Sequence, residues 1–391
     1  MKTISALAAG ALLACGCAHV HAQSAIQYLE NSKAWGSVVA DFDGDGHDDV
    51  FVVGHDSEDR IWYWTPTGYV PSPWKFPDVD RHDCDVADVN HDGLLDMYCA
   101  HGADQGTGLK NNELWIGQAG GRTFQLRVNF GADDPSGRSR LPKFFDLDHD
   151  GWPDLYIENE ATPRSDGLPN FNHVYRNQHD GTFVEVVTAA TGNSNSNPGF
   201  QCAAKGDVDG DGWDDLVVCS LGGVARIYVN NHANDFTVLA TPAVAKWRDA
   251  RLVDMNGDGR DDLVVIGVDD VFRIYFNTGV APYYRATPDF SDQLPVKGVA
   301  LTVGDFNRDG LKDVYVVLEN DDCEPNLLQD TDPDVVYFGK TKTTWAKTQL
   351  AQAFSGCGHL ADTIDGDKVL LENGGIAYRG PNFVFGWPTK N

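Results

Sequence analysis

Residues 41–49 read Asp-Phe-Asp-Gly-Asp-Gly-His-Asp-Asp, and this stretch decides the fold because its pattern returns five more times along the 391-residue chain. The oxygen-bearing positions are Asp41, Asp43, Asp45 and Asp49; Asp88, Asn90, Asp92 and Asp96; Asp146, Asp148, Asp150 and Asp154; Asp207, Asp209, Asp211 and Asp215; Asp254, Asn256, Asp258 and Asp262; and Asp305, Asn307, Asp309 and Asp313. Alternating carboxylate and amide oxygens on a tight loop suit a hard cation that takes about six to eight oxygens, with calcium the best match. The sixth position is always glycine (Gly46, Gly93, Gly151, Gly212, Gly259, Gly310), where the chain must turn sharply.

An EF-hand would place Glu at the twelfth position and continue into a helix. Here the twelfth residues are Val52, Cys99, Ile157, Val218, Val265 and Val316, inside short β-branched runs such as DVFVVG and DLVVIG that read as strands. The loops therefore join strands. Their openers lie 47 to 61 residues apart, a period that marks a radial or linear array.

These strand, loop, strand units resemble the FG-GAP repeats, related to VCBS repeats, of integrin α-chain propellers and many secreted bacterial proteins. The resemblance spans nearly the whole chain after the leader. It implies an all-β, seven-bladed β-propeller of four-stranded blades, with a calcium loop between the first and second strands. A seventh unit reads HLADTIDGDKVLLENGG, in which Asp362, Asp365 and Asp367 have lost the spacing, so six calcium sites are expected. Residues 23–36 should form a strand that closes the ring, either as the outer strand of the last blade or merely beside it.

The formal charge of −28 follows largely from the loops, which hold 21 of the 58 acidic residues; six calcium ions would bring it to −16. A nucleic-acid partner, which calls for a basic surface, is disfavoured. The N-terminus MKTISALAAGALLACGCAHVHAQ reads as a secretory signal over residues 1–22, before a single propeller domain over 23–391. Leu12-Leu13-Ala14-Cys15 also resembles a lipobox, which would leave Cys15 lipidated. No later stretch is long and apolar enough to span a bilayer. Export is expected, whether secreted, periplasmic or at the cell surface.

Six cysteines follow the leader. Cys84 and Cys99 lie four residues before and eleven after Asp88, and Cys202 and Cys219 lie five before and twelve after Asp207. Both pairs of offsets sum to seven, as facing residues of one antiparallel hairpin must. The disulfides Cys84–Cys99 and Cys202–Cys219 are predicted, with Cys323–Cys357 by elimination. His82 and His101 have the same sum, so His82, Cys84, Cys99 and His101 could instead converge on zinc or copper. Loop residues His47, His91 and His149 are expected to be solvent-exposed.

The aromatic third strands (RIWYW, NELWIG, HVYRN, RIYVN, RIYFN, VVYFG, IAYRG) are expected to pack between blades. By the propeller resemblance, segments before the first strand and after the second share the face opposite the calcium loops. That face would present Lys33, Trp35, Arg81, His82, Arg138, Arg140, Gln201, Trp247, Arg248, Lys297 and His359, with His55, His101, Glu160, Glu319 and Asp321. From these, Trp35, Arg81, His82, Arg140, Trp247, Arg248 and His359 form the candidate ligand set, suited to a sugar through stacking and charge-assisted hydrogen bonds.

No Gly-x-Ser-x-Gly, His-Glu-x-x-His or phosphate-cradling glycine loop occurs. The expected function is a non-catalytic, adhesion- or lectin-like binding module for a carbohydrate or an extracellular protein. One alternative is a polyuronate lyase, with catalytic candidates His82, His101, Arg81, Arg140, Arg248 and His359. Another is a structural component of the envelope or matrix.

Overall fold

The computed structural model describes residues 27–32, 34–57, 59–102, 111–135, 137–159, 171–191, 201–220, 224–242, 246–319, 334–349, 358–364, 366, 368–375 and 378–386. Every element among the described residues is a β-strand. Each of the six loops joins the first strand of a repeat to its second, as in Ala34–Ala40, loop, Asp49–Ser57. Two further strands complete each repeat as an antiparallel meander.

Hydrogen bonding corrects the expected seven separate blades to six sheets. Repeats three to six form one four-stranded sheet each, but repeats one and two share a single eight-stranded sheet. The reason is local. Strand Asp49–Ser57 runs on to reach Val79–Ala87, so that His55 faces Asp80 and Ser57 faces Val79. The sixth sheet is built from Gly358–Ile364, Lys368–Gly375 and Tyr378–Gly386, with Gln27–Ser32 added on the outer edge. Tyr28 faces Phe383 there, so the N-terminal strand supplies the outermost strand and closes the ring.

First strands neighbour one another around the centre, and Gly358–Ile364 packs back against Ala34–Ala40. Small residues at their ends (Ala40, Ala87, Gly206, Gly304) allow that crowding. The apolar cores lie between adjacent repeats. One joins Val217, Ile227 and Trp247 with Leu263 and Val265; another joins Ile266 and Phe272 with Val316, Tyr337 and Trp345. The third-strand aromatics Trp62, Trp115, Tyr175, Tyr228, Tyr275 and Tyr337 are all buried, as inter-repeat packing requires.

Cys84–Cys99 and Cys202–Cys219 are disulfides, each pair directly opposed in its hairpin. They fit an oxidising compartment. Cys323 and Cys357 lie outside the described residues, as do residues 1–26. Replacing both Cys84 and Cys99 by Ser removes a cross-link of sequence separation 15 and is expected to lower stability by about 3 kcal/mol. Urea unfolding of the double variant checks this; an unchanged midpoint would count against it.

Candidate functional site

The loops share one hydrogen-bond scheme. In the first, Asp41 accepts the backbone N–H of Asp45 and of Gly46, each at 2.9 Å, and Asp45 accepts that of His47. The same contacts recur around Asp88, Asp146, Asp207, Asp254 and Asp305. The sixth-position glycines have φ between 82° and 89°, the left-handed region that other residues enter at a cost.

The ninth-position carboxylate anchors each loop. Asp49 accepts the N–H of Phe42 within the loop and that of Trp64 at the end of the third strand. Asp96, Asp154, Asp215, Asp262 and Asp313 do the same, taking their second N–H from Gly117, Asn177, Asn230, Asn277 and Gly339. Burial without a cation pushes these carboxyls up, to about 7 for Asp49, Asp96, Asp154, Asp215 and Asp313 and to about 6 for Asp262.

The donor set fits a calcium ion. In loops one, three and four, three carboxylates (Asp41, Asp43, Asp45; Asp146, Asp148, Asp154; Asp207, Asp209, Asp215) each bring an oxygen within 4.8 Å of the others. Third-position oxygens of Asp43, Asp148, Asp209 and Asn307 are buried yet accept no hydrogen bond. Buried acceptors without a donor call for a partner from outside the chain. Burial, then the repulsion of neighbouring carboxylates, raises Asp148 and Asp209.

Two features of this face carried no assigned role in the sequence reading. Trp152 stacks between His91 (centroids 3.8 Å) and His179 (5.1 Å), and Trp213 between His149 (4.8 Å) and His232 (4.5 Å). His91 and His149 are exposed as expected, yet each lies against the indole of the next loop. The second feature is the asparagine that ends HVYRN, RIYVN and RIYFN. Its recurrence in three repeats was the available signal.

At the opposite end of the first strands, six units carry a β-bulge at one register position. The extra residues are Trp35, His82, Arg140, Arg248, Val299 and His359. Five of the seven candidate ligand residues thus occupy equivalent bulged positions around the ring, and bulges re-aim side chains. The other two, Arg81 and Trp247, immediately precede a bulge and are fully buried. Arg81 donates to Glu113 (2.8 Å), to Asp59 (2.9 Å) and to the Pro77 carbonyl, and His101 lies 3.3 Å from Glu113. Although burial opposes it, the His101 hydrogen bond and the Arg81 charge hold the Glu113 carboxyl down at about 2. Arg81 and His101 are therefore packed into a structural network. Arg248 is tied to Asp270 and to the carbonyls of Gly267, Val268 and Gly298, and Arg138 to that of Gly102.

The alternative zinc or copper site is not assembled. Cys84 and Cys99 are oxidised, and the bulge sets His101 opposite Arg81 instead of His82. His82 is buried, with Nε2 3.3 Å from Asp80 Oδ1, and its ring is contacted by Arg140 of the next repeat. Gly102 makes room for it, since a Cβ there would lie 2.0 Å from Nε2. Side chains of Trp35, His55, Gln201, Glu319 and His359, and residues Lys33, Glu160 and Asp321 altogether, lie outside what is described.

Loops, meanders and ring closure together define a repeat propeller. The FG-GAP-like repeat model matches residues 41–99, 88–157, 207–265 and 254–316, and the chain belongs to that family. No curated protein matches it. Among solved structures it is similar to an Agrocybe aegerita lectin described as recognising non-reducing terminal N-acetylglucosamine (18% identity, 81% of this chain and 80% of the lectin, TM-score 0.53). It is also similar to BBS1N in complex with ARL6DN (12%, 95% and 98%, TM-score 0.58) and to the Swd1 β-propeller domain of Myceliophteria thermophila (8%, 93% and 98%, TM-score 0.56).

Proposed function

We propose that the chain is an exported propeller, loaded with calcium at six loops, that serves as a non-catalytic binding module for a carbohydrate or an extracellular protein. The observation that carries this reading is the ring of bulges, which fall at Trp35, His82, Arg140 and His359 at the end away from the metal loops. Rigid sheets anchored by the loops would hold those positions in place. The same fold accompanies sugar recognition in the A. aegerita lectin and a protein complex in BBS1N, so neither ligand class is foreign to it.

A second reading has a specific observation behind it. Asp80, His82 and Arg140 lie together, with a carboxylate oxygen 3.3 Å from the imidazole and the guanidinium against its ring. A lyase acting on a polyuronate needs such a base and such a cation.

The test incubates the calcium-loaded protein with anionic and neutral glycans, following retention and product length. Retention of intact chains, weakened about tenfold or more by Trp35→Ala or Arg140→Ala, is the expected result. Shortened chains absorbing in the ultraviolet, abolished by His82→Ala, would put the lyase first. Retention of neither kind of glycan would leave a protein partner to be captured on the same face.

A further inference from the structure

We propose that Asn177, Asn230 and Asn277 are positioning residues that couple neighbouring metal loops, so that loops two to five fill with calcium as a cooperative set while loops one and six fill independently. This rests on the calcium reading above.

Each asparagine is almost completely buried, at 1–3% exposure, and reaches two loops at once. The backbone N–H of Asn230 donates to Asp215 of its own loop at 2.7 Å, while its side-chain Nδ2 donates to the Leu147 carbonyl of the preceding loop at 2.8 Å. Asn177 likewise joins Asp154 to the Val89 carbonyl at 2.9 Å, and Asn277 joins Asp262 to the Val208 carbonyl at 2.7 Å. The carbonyls so held belong to the second loop position, between the first and third oxygen donors. A cation that fixes those donors in one loop therefore fixes the carbonyl on which the next loop's anchor hangs.

Independent contacts follow the same path. Asp214 accepts the N–H of Asp146, and Asp261 that of Asp207, each at 2.9 Å across a repeat boundary. His91 and His149 stack on the indoles of the following loops, and His91 Nε2 lies 3.0 Å from the Gly151 carbonyl. The chain of contacts thus runs through loops two, three, four and five. The buried asparagine link is missing at both ends: Gly117 and Gly339 stand where the asparagines would, giving the backbone N–H to Asp96 and Asp313 but no side chain, and the contacts that do cross there include exposed ones, Arg122 to Asp43 and Lys342 to the Gly257 carbonyl.

Calcium uptake by the full mature chain, followed by calorimetry and by terbium luminescence sensitised through Trp152 and Trp213, tests the inference. Wild type should show a cooperative phase and a separate independent one. Asn230→Gly, which copies Gly117 and Gly339, should split the cooperative phase and weaken it about five- to tenfold, the size of one ordinary coupling. Asp211→Asn, at the exposed fifth position that is Asp in all six loops, serves if Asn230→Gly does not fold. It should lower occupancy in loops three and five as well as four at a fixed calcium concentration. Uptake by equivalent, non-interacting sites, or loss of a single ion in Asp211→Asn, would overturn the coupling. Absence of any uptake by wild type would instead sink the calcium reading itself.

Discussion

Removing calcium with a chelator is expected to lower the melting temperature of the mature protein by on the order of 10 °C or more. The six loops gather 21 carboxylates, and in loops one, three and four three of them bring oxygens within 4.8 Å of one another. Metal that binds only the folded loops adds its binding free energy to folding. The pH response should differ between the two states. In the metal-free protein the ninth-position carboxyls titrate near 7, or 6 for Asp262, far above the ordinary value of 3.8. The folded state then holds more protons than the unfolded one between about pH 4 and 7, so metal-free stability falls as pH rises through that window. With calcium bound the same carboxylates are ionised in the folded state as they are in the unfolded one above about pH 4, so stability should be nearly flat across that window and fall only below it. Melting curves at pH 5 and 7.5, with calcium and with chelator, check both statements. Parallel curves in the two conditions would contradict them.

Arg81→Ala is expected to cost about 3–5 kcal/mol, because it leaves Asp59 and Glu113 as buried charges without their cation. The site lies where repeats one and two merge, and Trp115 and the Gly54 backbone N–H join the same carboxylates. Glu113 is held below its ordinary value of 4.5, so its share of the stability is present above that pH and lost as pH falls towards 2. Arg285→Ala supplies the control, since its pair with Asp289 is solvated and should matter little. Urea unfolding in saturating calcium measures both. A loss for Arg81→Ala no larger than for Arg285→Ala would refute the argument.

Much of this architecture was readable in advance because it rests on local chemistry. The six loops, the strands that flank them and the two disulfides follow from spacing alone. The constant sum for Cys84/Cys99 and Cys202/Cys219 is a property of any regular antiparallel register. The same reasoning failed two residues further out, at His82 and His101, because a bulge is invisible in a list of side chains: it inserts a residue without changing composition. Arg81 looked like a surface cation for a related reason. Its partners Asp59 and Glu113 are remote in sequence and meet it only once repeats one and two share a sheet. The asparagines at 177, 230 and 277 were visible as a recurrence, but nothing in one dimension showed their side chains crossing to the preceding repeat.

The strand that closes the ring also sets a timetable. Tyr28 pairs with Phe383, so the strand Gln27–Ser32 waits for a partner roughly 350 residues downstream. Repeats two to six can fold one after another as they emerge, each on its predecessor, whereas the last sheet is completed only when both ends of the chain are at hand. Until then Tyr378–Gly386 exposes an unprotected edge, the state in which such chains associate wrongly. Anything that holds Gln27–Ser32 elsewhere during synthesis delays that step, and release of the N-terminal segment becomes the event that completes the molecule.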